Sequence, residues 1–143
     1  MAGPVDVEEQ AILNGILQDG SYAGYATLHI GLFTTTPTGD DGSGGTEVPS
    51  TNAYARVATT GADWGAATGS APATKSNTAV KTFPTATGSW GTVVGFGLWD
   101  AATAGNLKYF GTLGTSKAIG SGDTASFAAA ALVLKLGDPG DTY

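Results

Sequence analysis

Residues 88–113 have the sequence GSWGTVVGFGLWDAATAGNLKYFGTL, and this stretch predicts the fold more clearly than any other part of the chain. Two segments within it, residues 92–99 and 107–113, are rich in Val, Leu, Phe, Trp and Tyr, which favour a pleated, half-buried strand. The residues between them are small or polar and include Gly105, at a point where a tight turn needs a positive φ. We therefore predict a β-hairpin at the centre of a sheet.

Two glycines, Gly95 and Gly97, lie inside the first predicted strand. A glycine weakens a strand, so its presence there often marks a bulge, a bend or a close approach by another backbone. We expect Gly97 to face such a backbone contact, which a branched side chain would disrupt.

The composition is that of a single all-β domain. The 143 residues match the usual length of one domain, and no cysteine is present to form disulfides, thiolate zinc sites or a cysteine nucleophile. Glycine accounts for 23 residues and charged residues for only 13%, which fits neither a disordered nor a largely helical chain. Many short strands joined by small-residue turns explain this balance best.

Alternation of apolar and polar residues predicts further strands outside the hairpin. The predicted segments are residues 27–35, 53–60, 77–83, 124–127 and 131–136, with another short strand at Lys117 and Ile119. Pro84 is expected to end the strand before it, because proline cannot donate to a ladder. We predict one antiparallel β-sandwich domain, jelly-roll-like, that spans residues 1–143 with a helix in residues 1–20 and a polar tail in residues 137–143.

The N-terminal segment has the pattern of one amphipathic helix. Asp6 followed by Glu9 has the spacing of a capping box, and acidic side chains suit the positive end of a helix. Apolar residues recur three and four positions apart and form one stripe of Ile12, Leu13, Ile16 and Leu17. We expect this stripe to cover one end or face of the sheet. A helix that binds a membrane or a partner is the alternative, and its short length and acidity argue against a membrane surface.

The charge distribution argues against nucleic-acid and membrane partners. The formal net charge is −6, and the six basic residues are scattered, so no basic patch is present to neutralise phosphates. No apolar run reaches transmembrane length, and the N-terminus lacks the basic and apolar regions of a signal peptide. We expect a protein that is made and kept in the cytoplasm, or that leaves it by lysis or assembly.

Motifs for catalysis and cofactor binding are absent from the sequence. The chain has one histidine, His29, in a predicted strand, and no G-x-S-x-G elbow, Walker A or dinucleotide-binding motif. We therefore predict no catalytic residue, no cofactor and no metal. One alternative stays open in the long loop of residues 36–52, where Asp40, Asp41 and Glu47 could bind calcium, although their spacing does not match an EF-hand. A solvated flexible loop is the other interpretation.

Several pieces of this sequence, taken in order, resemble a known family. They are the N-terminal helix leading into YATLHIGLFTTTPT, then GDDGSGGTEV, NAYARVA, TFPTATGSWGTVVGFGLWDAATAGNLKYFGTL and GDTASFAAAALVLKL. Together they cover nearly the whole chain, and the longest is specific enough to argue against chance. The chain resembles a family of small virion structural proteins of tailed bacteriophages, which implies a phage particle component with no catalytic residues.

The resemblance leaves two structural roles open. A capsid decoration (cement) protein would lie on the capsid surface and bind the major capsid protein and copies of itself, as a dimer or trimer. A tail or tail-fibre component would instead contact a host surface glycan. Small size, acidity and the lack of a receptor-type repeat favour decoration. No motif favours a third class, a small cytoplasmic enzyme.

Position and expected exposure provide candidate interface residues. The N-terminal helix and the C-terminal tail are expected to reach toward partners, and tryptophans either stack on sugar rings or anchor the core. The candidates are Val7, Ile12, Ile16, Trp64, Trp90 and Tyr143.

Overall fold

The computed structural model describes residues 2–17, 24–69 and 73–136. Within these residues the chain forms one α-helix, α1 (Asp6–Leu17), one short 3-10 helix (Gly61–Asp63) and ten strands. The strands are β1 (Ala2–Pro4), β2 (Thr27–Thr35), β3 (Thr46–Glu47), β4 (Val57–Thr60), β5 (Ala73–Ser76), β6 (Lys81–Thr85), β7 (Gly91–Trp99), β8 (Leu107–Ile119), β9 (Thr124–Phe127) and β10 (Val133–Leu136).

The strands form two antiparallel layers around one core. Six strands make the main sheet in the order β1-β8-β7-β2-β3, and β4 pairs with the other half of β2. The second layer consists of two separate strand pairs, β5 with β10 and β6 with β9. The buried residues between the layers are Ile30, Leu32, Val48, Tyr54, Phe83, Ala86, Trp90, Val93, Phe96, Leu98, Ile119 and Leu132. The predicted all-β, sandwich-like antiparallel fold with one N-terminal helix is confirmed.

The hairpin predicted at the centre of the sheet is present as β7 and β8. Gly105 has a φ of 72°, as the predicted turn requires. Val93 pairs with Lys117 whereas Gly95 pairs with Thr112, so β8 has extra residues between these two pairs. The bulge expected at a strand glycine is thus confirmed at Gly95, and β8 continues through it to Ile119 instead of ending near residue 113.

Aromatic side chains lie over the glycines on the outer face of the main sheet. Gly31 and Gly97 are directly paired between β2 and β7. The rings of Phe33 and Trp99 have centroids 5.2 Å apart. A Cβ at Gly97 would lie 2.7–2.9 Å from side-chain carbons of Leu107, Phe33 and Trp99. The close contact predicted at Gly97 is therefore with side chains and not with another backbone.

Several strand boundaries differ from the sequence prediction. The predicted strand at residues 77–83 is β6, which starts later and includes Pro84, and its register shifts between Thr82 and Thr85 so that the proline needs no ladder bond. Strands β1, β3 and β5 were not predicted, because each is short and lies among Gly, Pro, Thr or Ala residues.

The helix is present, but the direction predicted for its apolar stripe is wrong. It begins directly after Val5, whose carbonyl accepts the N–H groups of Glu8 and Glu9, so Asp6 is its first residue and not its cap. Glu8 and Gly15 are the buried residues of the helix. Leu13, Ile16 and Leu17 are 56%, 65% and 77% exposed and do not cover the sheet. No helix in the described residues is long and apolar enough to span a membrane.

An ion pair between Arg56 and Glu47 joins the outer elements of the main sheet. The guanidinium donates to both carboxylate oxygens at 2.7 and 2.8 Å, and the arginine side chain is only 7% exposed. It also donates to the carbonyls of Ala101 and Ala104 in the β7–β8 turn and lies 4.1 Å from the Trp99 ring centroid. One side chain thus connects β3, the segment before β4, and the central hairpin.

Tyr54 extends this network into the core. Its hydroxyl donates to Glu47 at 3.0 Å and accepts from the backbone N–H of Leu32 at 2.7 Å. Burial is the main cause that raises the pKa of Tyr54, so the hydroxyl stays protonated near neutral pH. Two side chains of residues 52–58 (NAYARVA), Tyr54 and Arg56, therefore hold β3 in place.

The ion pair also bears on the calcium alternative for the loop of residues 36–52. Glu47 is held by Arg56 and Tyr54, and Asp41 accepts the backbone N–H of Ser43 at 2.9 Å. Asp40 supplies its carbonyl to the N–H of Asp6. The three carboxylates do not converge, and no group of three or more potential metal ligands occurs among the described residues.

Replacing Gly97 with valine is expected to lower the free energy of unfolding by about 1–3 kcal/mol, because three side chains already occupy the space. Urea unfolding measures the change. Gly114→Val is the matched control, since a Cβ at Gly114 in β8 meets no distant atom of the described residues within 4 Å. Equal stability of the two variants would show that the packing over Gly97 is unimportant.

Replacing Arg56 with methionine is expected to lower the free energy of unfolding by about 3 kcal/mol, because Glu47 would remain partly buried without its cation. Lys117→Met, at an exposed position of β8, is the control and is expected to change stability little. A thermal shift no larger for Arg56→Met than for this control would contradict the structural role of the ion pair.

Candidate functional site

Two surfaces of the described chain have features that folding alone does not explain. The first is the outward side of α1, with its exposed aliphatic side chains. The second is an aromatic-lined cleft between the two layers. The residues that position each surface come from distant parts of the sequence.

The helix is fixed to the sheet by a buried carboxylate. Glu8 is fully buried, and the hydroxyl of Tyr25 donates to its Oε2 at 2.7 Å. The ammonium of Lys108 lies 3.9 Å from the same oxygen and 3.6 Å from Asp100 Oδ2. The backbone N–H of Asn106 is the main cause that holds the pKa of Asp100 below its usual range. This polar contact sets the rotation of the helix about its own axis.

The rotation set by Glu8 turns the aliphatic residues of the helix outward. Val7 is 64% exposed, and Leu13, Ile16 and Leu17 are exposed as well. We call Leu13, Ile16 and Leu17 the helix stripe. Among the described residues, only Val80 and Leu136 are other large apolar side chains with comparable exposure. Contiguous exposed apolar groups of this kind usually mark a protein contact surface.

The cleft lies between β2, β4 and β8 of the main sheet and β5 and β10 of the second layer, and has a volume of about 260 Å³. Its aromatic walls are Tyr25, Trp64 and Tyr109. Leu28 and Leu134 form the apolar floor. Burial raises the pKa of Tyr109 to about 12, so its hydroxyl remains a hydrogen-bond donor at neutral pH.

Polar residues also line this cleft, and two of them, Thr59 and Lys75, are paired with its leucines. Thr59 is paired with Leu28 in the β2–β4 ladder and therefore shares its face. Its Oγ1 is buried and has no hydrogen-bond partner in the described part of the chain. Lys75 is paired with Leu134 in the β5–β10 ladder and is exposed, and no ion pair within the described residues involves it. Neither residue type stands out in the sequence, which has threonines throughout and scattered lysines.

The six candidate interface residues fall into separate places. Val7 and Ile16 are exposed on α1, and Ile12 is half-buried there. Trp64 is half-buried at the wall of the cleft. Trp90 does not have the exposure that an interface residue needs: it is 3% exposed, packs edge-on against Tyr54 and donates to the Asn52 carbonyl. Tyr143 lies outside the described residues.

Comparison with known families identifies a match over most of the chain. A family model described as "Podophage GP4 fiber I protein gp80" matches residues 4–135. No individually curated protein matches the chain. The matched range contains the central hairpin, the Arg56–Glu47 ion pair, α1 and nearly all of the cleft, so it confirms the resemblance drawn from the quoted segments. The chain belongs to the podophage GP4 fiber I protein gp80 family, a family of structural proteins of tailed-phage virions.

Proposed function

We propose that this protein is a non-enzymatic fibre subunit of a tailed-phage virion and that the fibre contacts the host surface. The description of the matching family names a fibre protein, which supports the tail or fibre interpretation over a capsid decoration protein. Size and acidity, which favoured decoration in the sequence, suit both roles. The major capsid protein is an expected partner only under the decoration alternative.

The observation that supports assembly is the helix stripe. A fibre subunit has to bind other virion subunits, and burial of one Leu or Ile side chain contributes about 1.5–3 kcal/mol to such a contact. The stripe presents three of these side chains on a helix that Glu8 and its partners hold rigidly against the sheet. We propose that the helix stripe packs against a neighbouring subunit, with another copy of this chain as the first candidate.

The double substitution Leu13→Glu with Ile16→Glu is expected to weaken subunit association about a hundredfold, because two apolar contacts are lost. Sedimentation at several protein concentrations measures the association, and copies per purified particle measure incorporation. Val80→Glu is the control, since Val80 is 57% exposed but lies outside the helix. Unchanged association and unchanged incorporation of the double variant would rule out the helix stripe as the assembly surface.

The copy number in purified particles distinguishes a fibre from a decoration protein. We expect a few per cent of the copy number of the major capsid protein, because fibres are attached at few positions on a particle. Quantitative gel densitometry or mass spectrometry of purified virions gives this ratio. One copy per capsid subunit, or a simple fraction such as one-third, would contradict the fibre role and support decoration.

A further inference from the structure

We propose that the cleft between the two layers binds one acidic sugar unit of a bacterial surface polysaccharide. The inference rests on the proposed host contact and adds to it the site and the chemical class of ligand. Three features of the cleft support it: its aromatic walls, an unpartnered buried hydroxyl and an unpaired lysine.

The walls and the size of the cleft suit a single sugar ring. Sugar rings have apolar C–H faces that pack on aromatic faces, while their hydroxyl groups need polar partners at the ring edge. Trp64, Tyr25 and Tyr109 supply the aromatic surface. The volume of about 260 Å³ is below the range of about 300–1,000 Å³ that holds drug-sized ligands, so the cleft fits one ring better than a longer saccharide.

The hydroxyl of Thr59 lacks a hydrogen-bond partner within the described residues. A buried hydroxyl without a partner costs free energy, and nearly all such groups in folded proteins are hydrogen-bonded. Thr59 is 2% exposed and its Oγ1 has no partner among the described residues, yet the residue lines the cleft. A sugar hydroxyl bound there would supply the hydrogen bond that the protein does not.

The charge of Lys75 selects an acidic sugar. The chain has a net charge of −6 and only six basic side chains. Arg56, Lys81 and Lys108 form ion pairs with carboxylates of the chain. Lys75 and Lys135 both line the cleft and form none within the described residues. Lys75 pairs with Leu134 and shares its face, whereas Lys135, next to Leu134 in β10, lies on the opposite face. A carboxylate on the ligand would complete the pair.

Binding of methyl β-D-glucuronide to the purified full chain tests the proposal, with methyl β-D-glucoside as the neutral probe. Trp64 is half-buried whereas Trp90 and Trp99 are 3% and 6% exposed, so a change in tryptophan emission reports on the cleft. We expect saturable binding of the glucuronide, about fivefold tighter than the glucoside, which an ion pair of ordinary strength provides. Trp64→Phe should remove the emission change, and saturation-transfer NMR then measures binding without it.

Two variants test the polar contacts separately. Lys75→Gln should abolish the preference for glucuronide over glucoside, whereas Lys117→Gln, at an exposed position outside the cleft, should retain it. Thr59→Val should weaken both probes about fivefold through the lost hydrogen bond. The same variant should unfold at the same or a higher urea concentration, because the hydroxyl it removes has no protein partner. A simple folding defect would instead lower stability together with binding.

No binding of the glucuronide at its highest soluble concentration would overturn the proposal, as would an unchanged preference in Lys75→Gln. Inorganic phosphate that binds as tightly as the glucuronide would show a plain anion site and would overturn the sugar assignment. These outcomes are independent of the copy number in purified particles. A copy number of a few per cent of the major capsid protein, without sugar binding, would refute this inference and leave the fibre role intact. A copy number equal to that of the capsid subunit, or a simple fraction of it, would refute the fibre role and leave the sugar site to be judged by the binding data.

Discussion

The position of the Arg56 guanidinium is the constraint on which the main sheet depends. Arg56 pairs with Glu47, binds the carbonyls of the β7–β8 turn and stacks on Trp99. The indole fits there only because Gly31 and Gly97 have no side chains, since a Cβ at either position would lie 2.6–2.9 Å from its ring carbons. These residues therefore depend on one another. The strand glycines leave space for the aromatic rings, and the Arg56–Glu47 ion pair is buried against the Trp99 ring.

The parts of this fold that the sequence predicted are those with a local signal. The hairpin, β2 and β9 each have alternating apolar residues or turn residues within a short stretch of sequence. These local patterns were sufficient to predict them. Strand β5 lies in a run of Ala, Thr and Ser residues and exists because β10 pairs with it. Pro84 was expected to end a strand and instead lies in one, because a register shift removed the need for its missing N–H. Long-range pairing decided these cases.

The candidate surfaces show the same limit. Periodicity indicated which residues of α1 share a face, but it could not indicate whether that face points toward the sheet. The answer depends on Glu8, whose carboxylate is bound by Tyr25 and lies near Lys108, both far along the chain. The cleft is assembled from five strands and the segments beside them. Trp64 was recognisable as a large aromatic residue, whereas only strand register places Thr59 and Lys75 at the cleft.

The outward helix stripe has a consequence for the order of events in particle assembly. Folding of this subunit does not use the stripe, since the helix is held by Glu8, Val5 and the β1–β8 pairing. The subunit can therefore reach its final conformation before it meets a partner, unlike an obligate oligomer that has no stable monomer. Under the proposed role of the stripe, incorporation is a docking reaction between folded bodies, with a rate set by collision and orientation and not by chain folding.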